Sequence, residues 1–390
     1  MNILFLSDVY FPRVNGVSTS IATFRTDLQA LGHRVDLAVP AYPCAGDGKV
    51  VEHGITRLPS RRVPLDPEDR LMQWSALMAT LPQLRERRYD VLHVHTPFVA
   101  HYAGVRFARA LGIPCVETYH TFFEAYLQHY VPLLPASWLR LLARRLSRSQ
   151  GNQTDGMVVP SRATQDVLWQ YGVNAPLTIL PTGLAPECFA AADGAAFRMR
   201  HGLDPKRPLL LCVGRTAFEK NMSFLLRVMR QLRAQVPDAL LLIAGEGPAR
   251  AALEREAASL DLHNHVRFLG YLDRATELNA CYRCADVFVF ASRTETQGLV
   301  LLEAMAQGTP VVSVAELGTW DVLREGCGAR IAREEEADFV AKLLPLLLDR
   351  SNRDALGTRA RQWAEQWSSR TQARRLIEFY EGVLGARSAR

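Results

Sequence analysis

Glu295 and Glu303 lie eight positions apart in RTETQGLVLLEAMAQGTP, Arg293 to Pro310. Two carboxylates placed this way around a helix start suit a site that holds hydroxyl groups on either side of an anion. Val287 to Ala291 reads as a buried parallel strand, Glu295 to Gly298 as its exit loop and Leu299 to Gln307 as the next helix, stopped by Gly308. The backbone N–H groups of Thr296, Gln297, Gly298 and Leu299 then have no helical partners, and with the helix dipole they make a phosphate site. Glu303 sits in an otherwise apolar helix, where a carboxylate needs a partner or a ligand hydroxyl. The plainer alternative is a surface Glu295 and a Glu303 paired to a structural arginine.

A second group of charges lies upstream. In GRTAFEKN, Gly214 to Asn221, Arg215 and Lys220 flank a turn between a strand and a helix. A planar fork and a point charge so placed can neutralise a diphosphate leaving group; two solvated surface cations are the alternative. GEGPAR, Gly245 to Arg250, also follows a strand, but Arg250 occupies the third glycine position of a dinucleotide fingerprint. A tight turn beside a nucleotide is the more modest reading.

Three stretches of the first half carry further candidates. In VNGVS, Val14 to Ser18, Gly16 lets backbone approach a ligand and Ser18 reads as a helix N-cap. HVHTPF, His93 to Phe98, and ETYHTFFEAYLQHY, Glu117 to Tyr130, each end a strand, and His120 is the best placed of their histidines to contact a reacting centre. WLRLLARRLSR, Trp138 to Arg148, carries Arg140, Arg144, Arg145 and Arg148 with no acid. Leu139, Leu142 and Leu146 fall on one face of that helix and arginines on another, a pattern that suits either an anionic membrane surface or an ordinary solvated face.

These residues need a scaffold of alternating strands and helices. Asn2–Ser7, Arg34–Val39, Val91–His95, Cys115–Tyr119, Gly156–Pro160 and Leu177–Leu180 read as strands. Ser18–Leu31, Trp74–Arg87, Tyr102–Leu111, Ser137–Gln150 and Ala163–Tyr171 read as the helices between them. After the Pro- and Gly-rich break at Leu180–Cys188, Leu209–Val213, Leu240–Ala244, Val266–Leu269, Val287–Ala291 and Pro310–Val314 repeat the pattern. The fold class is α/β, with two doubly wound domains facing across a cleft. The expected division is 1–185, 186–368 and a helix within 369–390 that returns to the first domain.

The chain has 390 residues, 48% hydrophobic and 22% charged, which is globular and long enough for two cores. MNILFLSDVY reads as a first strand, not a cleavable leader, and no apolar run is long enough to span a bilayer. Seven cysteines, an odd count scattered through strands and helices, suit a reducing cytosol; Cys281 and Cys284 have metal-like spacing without a second pair nearby. A net charge of +6 allows an anionic ligand, an acidic membrane surface or nucleic acid and on its own selects none of them.

Taken in order, NGVS at Asn15–Ser18, YHT at Tyr119–Thr121, GRTAFEKN at Gly214–Asn221, GEGP at Gly245–Pro248 and TETQGLVLLEAMAQGTPVV at Thr294–Val312 resemble the retaining GT-B glycosyltransferases of family 4. The resemblance spans nearly the whole chain. It implies an N-terminal acceptor-binding domain and a C-terminal domain that binds a nucleotide-diphosphate sugar. Arg215 and Lys220 would bind the diphosphate and Glu303 the ribose hydroxyls. Glu295 and the backbone from Thr296 to Leu299 would hold the sugar and distal phosphate, while His120 and the Gly16 loop would lie beside the anomeric carbon. Gln297 stands where the family commonly has Phe.

The family retains the anomeric configuration, with the leaving phosphate helping to take the acceptor's proton. No Asp-x-Asp motif is present, so the resemblance implies no metal or other cofactor, and no nucleic-acid partner. The longer run YHTFFEAYLQHY is most similar to the branch that glucosylates diacylglycerol from UDP-glucose. The expected location is the cytoplasm, with peripheral association at the inner face of the cytoplasmic membrane as the option that a lipid acceptor implies. Mannosyl or other hexosyl transfer from a GDP- or UDP-sugar to phosphatidylinositol, a polyprenyl-linked glycan or a soluble glycan is the alternative. A GT-B isomerase or phosphorylase is the alternative class, and an NAD-dependent oxidoreductase rests only on GEGPAR.

Overall fold

The structure is a computed structural model and describes residues 1–42, 53–63, 66–120 and 136–388. Residues 121–130 of the stretch read as an acceptor signature lie outside the described residues. The chain forms two compact units, Met1–Gly183 together with Ser369–Arg390, and Leu184–Ser368.

In the first unit the strands are β1 (Asn2–Leu6), β2 (Arg34–Pro40), β3 (Ile55–Leu58), β4 (Ser60–Val63), β5 (Asp66–Met72), β6 (Val91–Val94), β7 (Cys115–Thr118), β8 (Gly156–Val159) and β9 (Leu177–Ile179). Seven of them make one parallel sheet in the order β3-β2-β1-β6-β7-β8-β9, while β4 and β5 form a separate antiparallel pair. Strands β6, β7 and β8 are buried at every residue, as expected where helices cover both faces of a parallel sheet. Helix Gly16–Ala30 contributes Ile21, Phe24 and Leu28 to one face. The last helix, Ser369–Ser388, adds Ala373, Leu376, Tyr380 and Val383 to the same core. Each large apolar side chain buried there stabilises the unit by about 1.5–3 kcal/mol. Helix Val99–Leu111 covers the opposite face, against Leu4, Leu6, Leu92 and Val94.

In the second unit β10 (Leu209–Val213), β11 (Leu240–Ala244), β12 (Val266–Gly270), β13 (Val287–Phe290), β14 (Val311–Val314) and β15 (Ala329–Ala332) are ordered β12-β11-β10-β13-β14-β15. This is the 3-2-1-4-5-6 order of a dinucleotide-binding fold, with its topological switch point between β10 and β13. The chain enters and leaves this unit side by side, Leu184 N–H donating to Trp367 C=O at 2.6 Å.

Local details differ from the sequence reading where competing local chemistry wins. Trp74 to Arg87 is two short helices, Trp74–Met78 and Leu81–Glu86, because Pro82 belongs in a first helical turn and not in a helix interior. Asn15, not Ser18, caps helix Gly16–Ala30, its side chain accepting from Ser18 N–H at 2.8 Å. In helix Ala136–Gly151, Leu139 and Ala143 are buried, whereas Leu142 turns outward with Leu141 and Trp138. The expected division of that helix into a leucine face and an arginine face therefore does not hold.

Candidate active site

Ligands of open α/β sheets sit beyond the strand ends at a switch point. In the second unit the loops leaving β10 and β13 carry four of the charged side chains picked out by spacing or adjacent to them. Lys220 Nζ, on the β10 loop, lies 2.5 Å from Glu295 Oε1, on the β13 loop. Arg215 lies 3.7 Å from Glu219, and all four side chains are largely shielded, at 12–21% exposure. Glu295 is thus not the surface residue of the plainer reading. Lys220 takes its position from Asn221, a left-handed residue whose side chain donates to Glu334 at 2.8 Å and to Ala291 C=O at 3.3 Å.

The turn GEGP does a job different from a cofactor fingerprint. Gly245 and Gly247 run against the β10 loop, where Thr216 N–H donates to Glu246 C=O at 2.9 Å and Ala249 N–H to Thr216 C=O at 3.0 Å. A Cβ on Gly247 would fall 2.3 Å from Thr216 O, and one on Gly245 2.0 Å from Gly214 O. Only glycine permits this backbone-to-backbone approach, which fixes the loop that carries Arg215 and Lys220.

After β13, Thr296, Gln297 and Gly298 lead into helix Leu299–Ala306, with Gly298 left-handed at the N-cap. The carbonyl of Glu295 accepts from Gly318 N–H at 3.0 Å, which holds this loop to the one after β14. Gln297 and Gly298 are buried and Thr296 is half-buried.

Glu303, on the same helix, is 3% exposed, and both of its oxygens are engaged. Oε1 pairs with Arg274, and Oε2 accepts from Tyr282 Oη at 2.8 Å. The Glu303 carboxylate holds the Arg274 guanidinium above its ordinary pKa, while burial first, and then Glu303, pushes Tyr282 up. The arginine partner of the plainer reading is therefore present. Neither Arg274 nor Tyr282 stood out in sequence; an acid on an apolar helix signalled that a partner existed without saying which. Cys281 and Cys284 are buried on helix Leu278–Cys284, with Cys284 Sγ donating to Cys281 C=O at 3.0 Å.

In the first unit the ends of β6 and β7, next to the switch point between β1 and β6, bring two histidines together. His95, just past β6, meets His120, just past β7, through Nδ1 and Nε2 at 3.2 Å. Burial lowers His120 to about 4, so the ring is uncharged at neutral pH. Asp8, just past β1, was not marked by spacing. Its Oδ2 accepts from Ala100 N–H at 2.9 Å and Thr96 Oγ1 at 3.0 Å, at the start of helix Val99–Leu111, and burial lifts it to about 6. Gly16 opens helix Gly16–Ala30 with nothing within 4 Å of where a side chain would begin.

Arg140, Arg144, Arg145 and Arg148 are all exposed on helix Ala136–Gly151. Arg144 lies over the Tyr171 ring at 5.6 Å and donates to Gln170 C=O at 3.2 Å. Among the described residues no helix is long and apolar enough to cross a membrane.

Two family models cover most of the chain: Glycosyltransferase Family 4 over residues 14–188 and Glycosyl transferases group 1 over residues 194–363. The alpha-monoglucosyldiacylglycerol synthase of Streptococcus pneumoniae is 31% identical over 322 residues, 80% of this chain and 71% of that protein. The GDP-mannose-dependent alpha-(1-6)-phosphatidylinositol monomannoside mannosyltransferase of Mycolicibacterium smegmatis is 34% identical over 260 residues, 64% of this chain and 68% of that protein. Among solved structures, sucrose-phosphate synthase from Thermosynechococcus elongatus has a TM-score of 0.79 at 20% identity, over 99% of this chain and 100% of that one. Anabaena HepE in complex with UDP and glucose has a TM-score of 0.79 at 17% identity, over 98% and 100%. At these identities the structures speak for the fold, and the sequence relatives for the family: the chain belongs to the GT-B glycosyltransferases.

Proposed function

We propose that this glycosyltransferase moves glucose from UDP-glucose to a hydroxyl of a membrane lipid of the diacylglycerol type, with retention at the anomeric carbon. The observation that carries the donor half is the pairing of Lys220 with Glu295 at 2.5 Å across the switch point of the second unit, with Arg215 on the same loop. A diphosphate brings negative charge to Lys220 and Arg215, and both cations favour the departing phosphate more than the ground-state ester. This leaves Glu295 to accept from sugar hydroxyls, and the N–H groups from Thr296 to Leu299 to meet phosphate oxygens. Glu303 takes the ribose hydroxyls on lone pairs left by Tyr282 and Arg274, or by displacing Arg274, the more exposed of the two. With cations neutralising the leaving group, the reading requires no metal, and transfer should survive chelation by EDTA.

The leaving phosphate takes the acceptor's proton, so the site needs no strong general base. An uncharged His120 beside the reacting sugar agrees with this. The lipid acceptor is supported by the relative named for monoglucosyldiacylglycerol synthesis. It is also supported by Trp138, Leu141 and Leu142, exposed among Arg140, Arg144, Arg145 and Arg148, which suits peripheral contact with an anionic membrane on the cytoplasmic side. The test is mass spectrometry of products after incubation with UDP-glucose or GDP-mannose and vesicles of diacylglycerol or phosphatidylinositol in an anionic lipid background. A hexosyl-diacylglycerol from UDP-glucose is the expected product. A mannosylated phosphatidylinositol from GDP-mannose would replace the reading with mannosyl transfer to an inositol lipid.

A further inference from the structure

His93, His95 and His120 form a continuous stack in the first unit. The His93 and His95 rings lie 4.2 Å apart at 26°, and those of His95 and His120 lie 5.5 Å apart at 23°. Phe5 closes the side of the stack with its ring edge-on to His93 at 5.3 Å and to His95 at 4.5 Å. His93 is held at both nitrogens, Nδ1 by Tyr380 Oη at 2.6 Å and Nε2 by Thr118 Oγ1 at 2.7 Å. Tyr380 belongs to the last helix, Ser369–Ser388, so that helix fixes the first ring and the first ring supports the second. His95 is 1% exposed; its Nδ1 meets His120 Nε2 at 3.2 Å, and its Nε2 is buried with no hydrogen-bond partner among the described residues.

We propose that His95 is a positioning residue that holds His120 as the neutral Nδ1–H tautomer, so that His120 meets the bound sugar as a hydrogen-bond donor and not as a base. The proposal rests on the reading that places His120 beside the reacting sugar. Burial keeps all three rings uncharged near neutral pH, lowering His93 to about 3, His120 to about 4 and His95 well below its ordinary value. A neutral imidazole has one N–H and one bare nitrogen, which leaves two arrangements of the His95–His120 contact. If His120 donated, the His95 proton would sit on Nε2, a buried donor with no acceptor. Orphaned buried N–H groups are rarer than under-used acceptors, and the bare nitrogen is the better tenant of that position. His95 therefore donates from Nδ1, His120 accepts at Nε2, and the His120 proton lies on Nδ1. Free neutral histidine prefers the proton on Nε2, so this tautomer is imposed by the fold.

The test is a two-bond ¹H–¹⁵N spectrum of the full-length chain labelled at histidine, near neutral pH, read together with steady-state kinetics. The expected spectrum shows a protonated Nδ1 and a bare Nε2 for His120. His95→Phe keeps the stacking but removes the donor. It should move His120 toward the Nε2–H form and lower kcat about tenfold, with the donor KM within about twofold. His95→Asn places an amide N–H where Nδ1 was and should recover most of the lost rate. A wild-type thermal melt of His95→Phe excludes misfolding as the cause; where that variant does not fold, the wild-type spectrum and His95→Asn decide. An Nε2–H or doubly protonated His120 in the wild type overturns the tautomer, and unchanged kcat in His95→Phe overturns the positioning role. His120→Ala with full activity would overturn the place of His120 in the site while leaving the spectrum to stand.

Discussion

Lys220 Nζ and Glu295 Oε1, 75 residues apart in sequence, lie 2.5 Å from one another where β10 and β13 end. The contact joins two loops that the sheet order makes neighbours. In the proposed reaction an anionic donor would enter by sharing or replacing it. Removing either cation from the β10 loop, by Arg215→Ala or Lys220→Ala, should lower kcat by about 10²- to 10³-fold with a smaller change in donor KM. Steady-state kinetics with varied donor checks the split. Equal loss in KM alone would mean that the cations bind the ground state only.

Glu303 should behave differently, because its role is to bind. Glu303→Ala should raise the donor KM more than it lowers kcat. It should also destabilise the second unit by about 1–3 kcal/mol, since the fully buried Tyr282 hydroxyl loses its acceptor. Thermal melting of Glu303→Ala beside the double variant with Tyr282→Phe checks this. The double variant should recover part of the stability and none of the affinity.

Helix Ala136–Gly151 offers a test of the membrane reading that leaves the donor site alone. Replacing Arg140, Arg144, Arg145 and Arg148 with Ser should weaken co-sedimentation with anionic vesicles, each cation being worth about 1 kcal/mol at such a surface. Hydrolysis of the donor should be unchanged. Unaltered vesicle binding would remove the helix from the account.

The first unit should be acid-labile, and the sign follows from its histidines. His93, with an ordinary value of 6.5, is held at about 3 and His120 at about 4, with His95 shifted in the same direction. Below about pH 6.5 the unfolded chain gains protons that the folded one refuses, so stability falls by about 1.4 kcal/mol per pH unit for each such ring. Asp8 opposes this. Its carboxyl, raised from 3.8 to about 6, takes up a proton earlier when folded and adds stability as the pH falls through that window. Several rings outweigh one carboxyl, and the melting temperature should drop between about pH 7 and pH 5. A flat profile would show that the rings titrate as they do in water.

Much of this was legible in the chain. Apolar runs such as Val287–Phe290 and Leu209–Val213 marked their strands because a parallel strand buried on both faces needs no alternation. The strands that escaped notice were those without such a run: β3, whose four residues include Arg57, β4 and β5, whose SRRV and DPEDRLM are charged, and β15, whose four residues include Arg330. Spacing also singled out Lys220 and Glu295, which the sheet order then sets side by side. It could not supply the partners of Glu303, because Arg274 comes from the loop after β12 and Tyr282 from a different helix, and only the folded sheet puts them beside the same carboxylate. Asp8 escaped for the same reason: β1 and β6 are adjacent in the sheet, but their ends are far apart in sequence, whereas the histidines of HVHTPF and ETYHTFF were already marked as residues at strand ends. Helix Ala136–Gly151 shows a further limit, since leucines at helical spacing do not say which of them faces the core.

The central claim is that cations of the β10 loop grip the diphosphate while Glu295 and Glu303 hold the sugars on either side of it. A crystal structure of the protein with UDP bound tests it most directly. The account predicts phosphate oxygens within hydrogen-bond reach of Arg215 and Lys220 and ribose hydroxyls on Glu303; a nucleotide bound away from all three residues would contradict it.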